Sequence, residues 1–78
     1  MGPRRSAAVE TEIYESDPFT PKKTNLLVSF TSDYRFQKGD ELYIHQEAKT
    51  VKVRLIDVRI HVQAGGARLT REILAMKL

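Results

Sequence analysis

Two histidines, ten carboxylates and thirteen Lys or Arg side chains carry the ionic chemistry of this 78-residue chain, which has no cysteine. Thiolate metal sites, disulfides and cysteine nucleophiles are therefore excluded. His45 and Glu47 fall on one face of a strand pattern, but a metal site needs three or four converging ligands. The strand pairing set out below turns His45 toward Thr50 and away from His61. No metal and no other cofactor is expected. Ser6, Ser16, Ser29 and Ser32 fall in a tail, a loop, a strand and a turn, with no Gly-x-Ser-x-Gly elbow and no neighbouring histidine. Asp40 reads as a turn residue and Glu41 as a cross-strand partner of Arg54, so neither is free for acid-base work. Gly65-Gly66 lacks the Lys-Ser/Thr that follows in a phosphate loop. The expectation is a protein that is not an enzyme and takes no small-molecule substrate.

Charge and aromatic spacing offer a second kind of chemistry. The net charge is +3, and residues 34–78 alone carry +4. Tyr34-Arg35-Phe36 interleaves ring and cation, as surfaces that stack nucleic-acid bases do. Tyr43, Lys52 and Arg54 share one outer strand face. Together Tyr34, Arg35, Tyr43, Lys52 and Arg54 form a candidate nucleic-acid face for RNA or single-stranded DNA, with a pattern that resembles OB-like and SH3-like modules. Against it, Glu41 and Glu72 sit where they neutralise Arg54 and Arg59.

A third kind is apolar. Leu27, Leu74, Met76 and Leu78 fall on the strand face opposite the core and form a candidate protein interface. Apolar strand surface left uncovered marks an interface or an aggregation hazard. A protein partner or a homo-oligomer is expected from it. No apolar run reaches the 18 or so residues of a membrane-spanning helix, so no membrane partner is expected. The missing cysteines fit a reducing compartment, and the expected location is cytoplasmic.

These residues need elements to position them. Residues 1–10 hold Gly2, Pro3, Arg4 and Arg5 with no apolar period, and they read as a disordered tail before one small domain over 11–78. Arg4-Arg5 is not followed by the apolar stretch of an export signal, and Pro3 spoils the Met1-Gly2 acylation pattern. Ile13-Tyr14 reads as an edge strand. Asp17-Pro18 and Thr20-Pro21 impose a loop. From Asn25 to Thr31, Leu26, Val28 and Phe30 alternate with Leu27, Ser29 and Thr31, which predicts a strand. Gly39 fits a turn that needs positive φ.

Two hairpins follow. A turn at Glu47-Ala48 sets Ile44 opposite Val51 and Leu42 opposite Val53, with Tyr43 opposite Lys52 and Glu41 opposite Arg54. In the next strand the apolar parity flips, from Val51, Val53 and Leu55 to Ile56, Val58, Ile60 and Val62. That flip predicts a β-bulge at Leu55–Ile56. A Gly65-Gly66 turn then sets Val62 opposite Leu69, Val58 opposite Ile73, Arg59 opposite Glu72 and Ile56 opposite Ala75. Arg71 is the misfit, because it shares the apolar face with Ile60.

The pattern defines an all-β chain, a small curled antiparallel meander of four or five strands closing as an SH3-like or OB-like barrel. The alternative is α+β with a C-terminal helix over 67–78, since Leu69, Ile73 and Met76 also fit helical spacing. The expected function is a non-enzymatic β-barrel binding and assembly module. The alternative is a nucleic-acid-binding β-barrel.

Overall fold

The computed structural model describes residues 9–17, 19–20, 22–65 and 68–78. They form five strands: β1 (Val9–Ser16), β2 (Lys23–Ser32), β3 (Glu41–His45), β4 (Thr50–Gln63) and β5 (Arg68–Lys77). No described residue is helical, and the 67–78 alternative gives way to a strand. The five strands make one sheet in the order β2-β1-β5-β4-β3, curled into a half-barrel of the small β-barrel class.

The two local hairpins keep their expected register. β3 and β4 pair Ile44 with Val51, Leu42 with Val53, Tyr43 with Lys52 and Glu41 with Arg54. β4 and β5 pair Val62 with Leu69, Ile60 with Arg71, Arg59 with Glu72 and Val58 with Ile73. The register shifts between Leu55 and Asp57, at the parity flip. Ile56 occupies the bulge, so Ala75 faces Leu55 rather than Ile56.

The chain is not a pure meander. β1 pairs with β5 in parallel, placing Thr11 beside Arg71 and Ile13 beside Ile73. β1 is therefore an interior strand, and the edges are β2 and β3. Hairpin logic does not reach this pairing, because it joins distant segments that no short turn connects. Val9 and Glu10, assigned to the tail by composition, are the first residues of β1 and face Ser32 and Thr31. The rest of that tail, and Gly66 of the expected turn, lie outside the described residues.

The inner face carries the core. Ile13, Val53, Leu55, Ile73 and Ala75 are buried, with Val28, Phe30, Phe36, Leu42, Ile44, Val51 and Val58 packed around them. β2 reaches this core through a bulge. Ile13 faces Val28 and Tyr14 faces Leu26, which leaves Leu27 unpaired and packed against the core, with Leu26 on the outer face and half exposed. The simple alternation of residues 25–31 places Leu26 and Leu27 the other way round.

The segment between β2 and β3 closes one end of the half-barrel. Gly39 adopts φ +95°. A Cβ there would meet nothing within 4 Å, so conformation rather than space calls for glycine. Asp40 receives a hydrogen bond from the Gln37 amide at 2.9 Å. The turn then docks on β4 where β3 has ended: the Gly39 amide donates to the Leu55 carbonyl and the Leu55 amide to the Asp40 carbonyl, both at 2.8 Å.

Arg71, the sequence misfit, locks this segment down. It is only 7% exposed. Its Nε and Nη2 donate to Thr11 Oγ1 at 3.1 and 2.9 Å, Nη2 also to the Ser32 carbonyl at 3.0 Å, and Nη1 to the Tyr34 carbonyl at 2.8 Å. Its guanidinium lies 5.0 Å from the Phe36 ring centroid, a cation–π contact. Burial lowers its pKa, and the charge of Asp33 acts the other way. A guanidinium remains charged under such a shift.

Candidate functional site

Three surfaces compete for the role of functional site. The first is the outer face of β3 and β4, where the sequence places Tyr43, Lys52 and Arg54. All three are exposed there, and Lys52 Nζ sits 5.5 Å from the Tyr43 ring centroid. Glu41 neutralises the patch: its carboxylate takes Arg54 Nη2 at 2.6 Å and Lys52 Nζ at 3.6 Å. These contacts hold its pKa below the usual carboxylate value, the Arg54 hydrogen bond first and the Lys52 charge next. Lys52, which the register sets opposite Tyr43, thus shares the Glu41 carboxylate with Arg54. Tyr34 and Arg35 do not extend this patch. Tyr34 packs edge-on against Phe36, with ring centroids 4.8 Å apart, in the segment held by Arg71, and Arg35 is exposed beside it.

The second surface is the polar outer face of β1, β2, β4 and β5, which holds an open depression of about 460 Å³. Glu72 organises it. Lys23 of β2 forms an ion pair with one carboxylate oxygen, while Arg59 Nη1 at 3.8 Å and His61 Nε2 at 3.4 Å face the other. The Lys23 hydrogen bond is the main cause holding the Glu72 pKa below its usual value, and the same contact raises that of Lys23. A lowered carboxylate pKa in the folded state gives stability that is present above the unfolded value and lost as pH falls through the folded one. The chain should therefore lose stability as pH drops below the ordinary carboxylate range, and Glu72→Gln should flatten that loss. Denaturant midpoints on both sides of the carboxylate range check this. An unchanged acid slope in the variant would mean the pairing has no energetic effect. His45 is remote from this cluster and meets Thr50 Oγ1 at 3.1 Å, as its register requires.

The third surface is apolar, and the sequence places it only in part. Leu74 is on the outer face as expected, between Tyr14 and Asp57, but it is fully buried and has no surface to offer a partner. Leu27 is packed into the core. Met76 is half-buried beside Arg54. Leu78 is exposed, and its amide donates to the Lys52 carbonyl at 2.9 Å.

The large uncovered apolar surface lies elsewhere. β4 is 14 residues long, whereas β3 pairs only with its first five, Thr50 to Arg54. Among the described residues, β1 accompanies β5 only from Thr70 to Ala75. The far ends of β4 and β5 therefore form a two-stranded arm past both neighbours. Its inner face presents Ile60, Val62 and Leu69, which are 53, 66 and 44% exposed. The alternation assigns these three to the core, because they share parity with Val58 and Ile73. The missed signal is strand length: inward parity buries a residue only where a neighbouring strand or loop extends far enough to cover it.

An apolar groove of about 330 Å³ also opens between the unpaired edges β2 and β3, lined by Ile13, Val28, Phe30, Phe36, Leu42 and Ile44. Among the described residues, no group of three or more His, Asp or Glu is placed to hold a metal, and no helix is long and apolar enough to cross a membrane. No protein-family model, no curated protein and no solved structure matches the chain.

Proposed function

We propose that this chain is a non-enzymatic β-barrel module for protein–protein assembly, acting in the cytoplasm. The observation that supports this reading is the exposed inner face of the β4–β5 arm. Ile60, Val62 and Leu69 alternate along the strands as core residues do, yet no other strand among the described residues covers them. Contiguous apolar surface of this kind marks a protein interface in a folded domain. A cysteine-free sequence agrees with a reducing location.

Gel filtration at two protein and two salt concentrations tests the reading. An apolar interface holds, or tightens, as salt rises. A phosphate-binding surface loses affinity steeply, because each contact releases counterions. Lys52→Glu sharpens the comparison. Lys52 is exposed and its contact with Glu41 is long, so the variant should fold and assemble as the parent does. Filter binding with single-stranded RNA and DNA is the companion measurement. A salt-labile complex that disappears in Lys52→Glu would replace assembly with the nucleic-acid function.

A further inference from the structure

The two faces of the β4–β5 arm differ in kind. Arg59, His61 and Glu72 lie on the outer face and contact one another through Glu72, and Arg68 pairs with Glu10 at 2.9 Å. Ile60, Val62 and Leu69 lie on the inner face, adjoining the buried core through Val58 and Ile73. We propose that a second copy of this chain covers that inner face, the two arms packing face to face about a two-fold axis. The inference rests on the assembly reading above and names its partner and its surface.

The observation that favours a copy over another occupant is electrostatic. A two-fold contact brings a patch against its own image, so an exposed charge near the axis meets a like charge. The inner face of the arm has no exposed charge. Its one cation, Arg71, is 7% exposed and donates to Thr11, Ser32 and Tyr34 within its own chain. Packed inner face to inner face at the usual sheet separation of about 10 Å, two arms would interdigitate branched apolar side chains as a sandwich core does.

The absence of cysteine makes the contact directly readable. Val62→Cys places one thiol on the inner face of the arm. Leu26→Cys places one on the outer face at similar exposure, 51% against 66%. With a short bismaleimide crosslinker, Val62→Cys should give covalent dimer at least about ten times faster than Leu26→Cys. Sedimentation of the unmodified chain, from low micromolar to near-millimolar concentration, should show a salt-tolerant monomer–dimer equilibrium. Val62→Asp should shift it to monomer with an unchanged circular dichroism spectrum, since that side chain carries no core packing. A dimer that crosslinks equally well at both positions, or that survives Val62→Asp, would overturn the arm as the contact while leaving assembly intact. A monomer at every concentration would overturn the second copy as the occupant. Salt-labile binding of nucleic acid, by contrast, would remove the assembly reading itself.

Discussion

Arg71→Met should unfold this chain at moderate temperature, although arginine is the residue least expected on an apolar strand face. The side chain makes four hydrogen bonds to Thr11, Ser32 and Tyr34 and a cation–π contact with Phe36. Methionine fills much of the same volume and removes the desolvation cost of the charge, which works in its favour. It also takes the guanidinium donors from the Ser32 and Tyr34 carbonyls and from Thr11 Oγ1, which keeps only its own bond to the Val9 carbonyl. Each buried polar group left unpaired costs about 1–3 kcal/mol, so the balance should be a net loss of roughly 2–4 kcal/mol. Arg71→Lys should not rescue the fold, because a single ammonium cannot span three acceptors that a planar fork reaches at once. Hydrogen exchange would localise the damage to residues 32–40 before the sheet as a whole. A variant as stable as the parent would mean that Arg71 only fills space.

Ile73→Ala should be equally severe and for a simpler reason. Ile73 is fully buried at the middle of β5, with Ile13 on one side and Val58 on the other. Truncating such a residue costs about 2–5 kcal/mol, depending on how far the cavity collapses. A domain of this size has about 5 kcal/mol in total, and each kcal/mol is worth about 4–8 °C in melting temperature. Ile60→Ala is the matched control. It removes the same atoms from the same face two register positions along β4, where the side chain is 53% exposed. In dilute protein it should cost below about 1 kcal/mol. Thermal melts of the two variants decide the matter. Equal losses would show that the arm is as well covered as the core.

The contrast between these two isoleucines measures what the sequence makes legible. Parity assigns both to the inner face, and both are there. Both hairpin registers, the bulge before Asp57 and the φ of Gly39 follow from local alternation and turn chemistry, which depend on neighbours a few residues away. The parallel β1–β5 pairing does not, since Thr11 and Ser16 dilute the alternation of β1 and no turn announces its partner. With β1 misplaced at an edge, the acceptor for Arg71 is invisible and that residue reads as a flaw in β5. The candidate interface fails in the same way. Leu74 has outward parity and is nonetheless covered, while Val62 has inward parity and is bare. Cover depends on how far each neighbouring strand runs, which is a property of the whole sheet. The basic patch is legible residue by residue, but its partial neutralisation by Glu41 rests on side-chain reach that register alone does not give.

The parallel seam also governs the order of events during folding. The sheet consists of two antiparallel pieces, β1–β2 and β3–β4–β5, each built from neighbours in the chain and joined only through β1 and β5. Thr11 and Arg71, which bond across that seam, are 60 residues apart. Closing a loop of that length before any seam contact forms is an entropic toll, so hairpins should come first and the weld last. Neither piece buries its inner face alone, and a lone two-stranded ribbon is marginal in water. On a ribosome, β1 and β2 must therefore wait, with Ile13 and Val28 exposed to whatever else is in solution, until β5 has been synthesised and released from the exit tunnel.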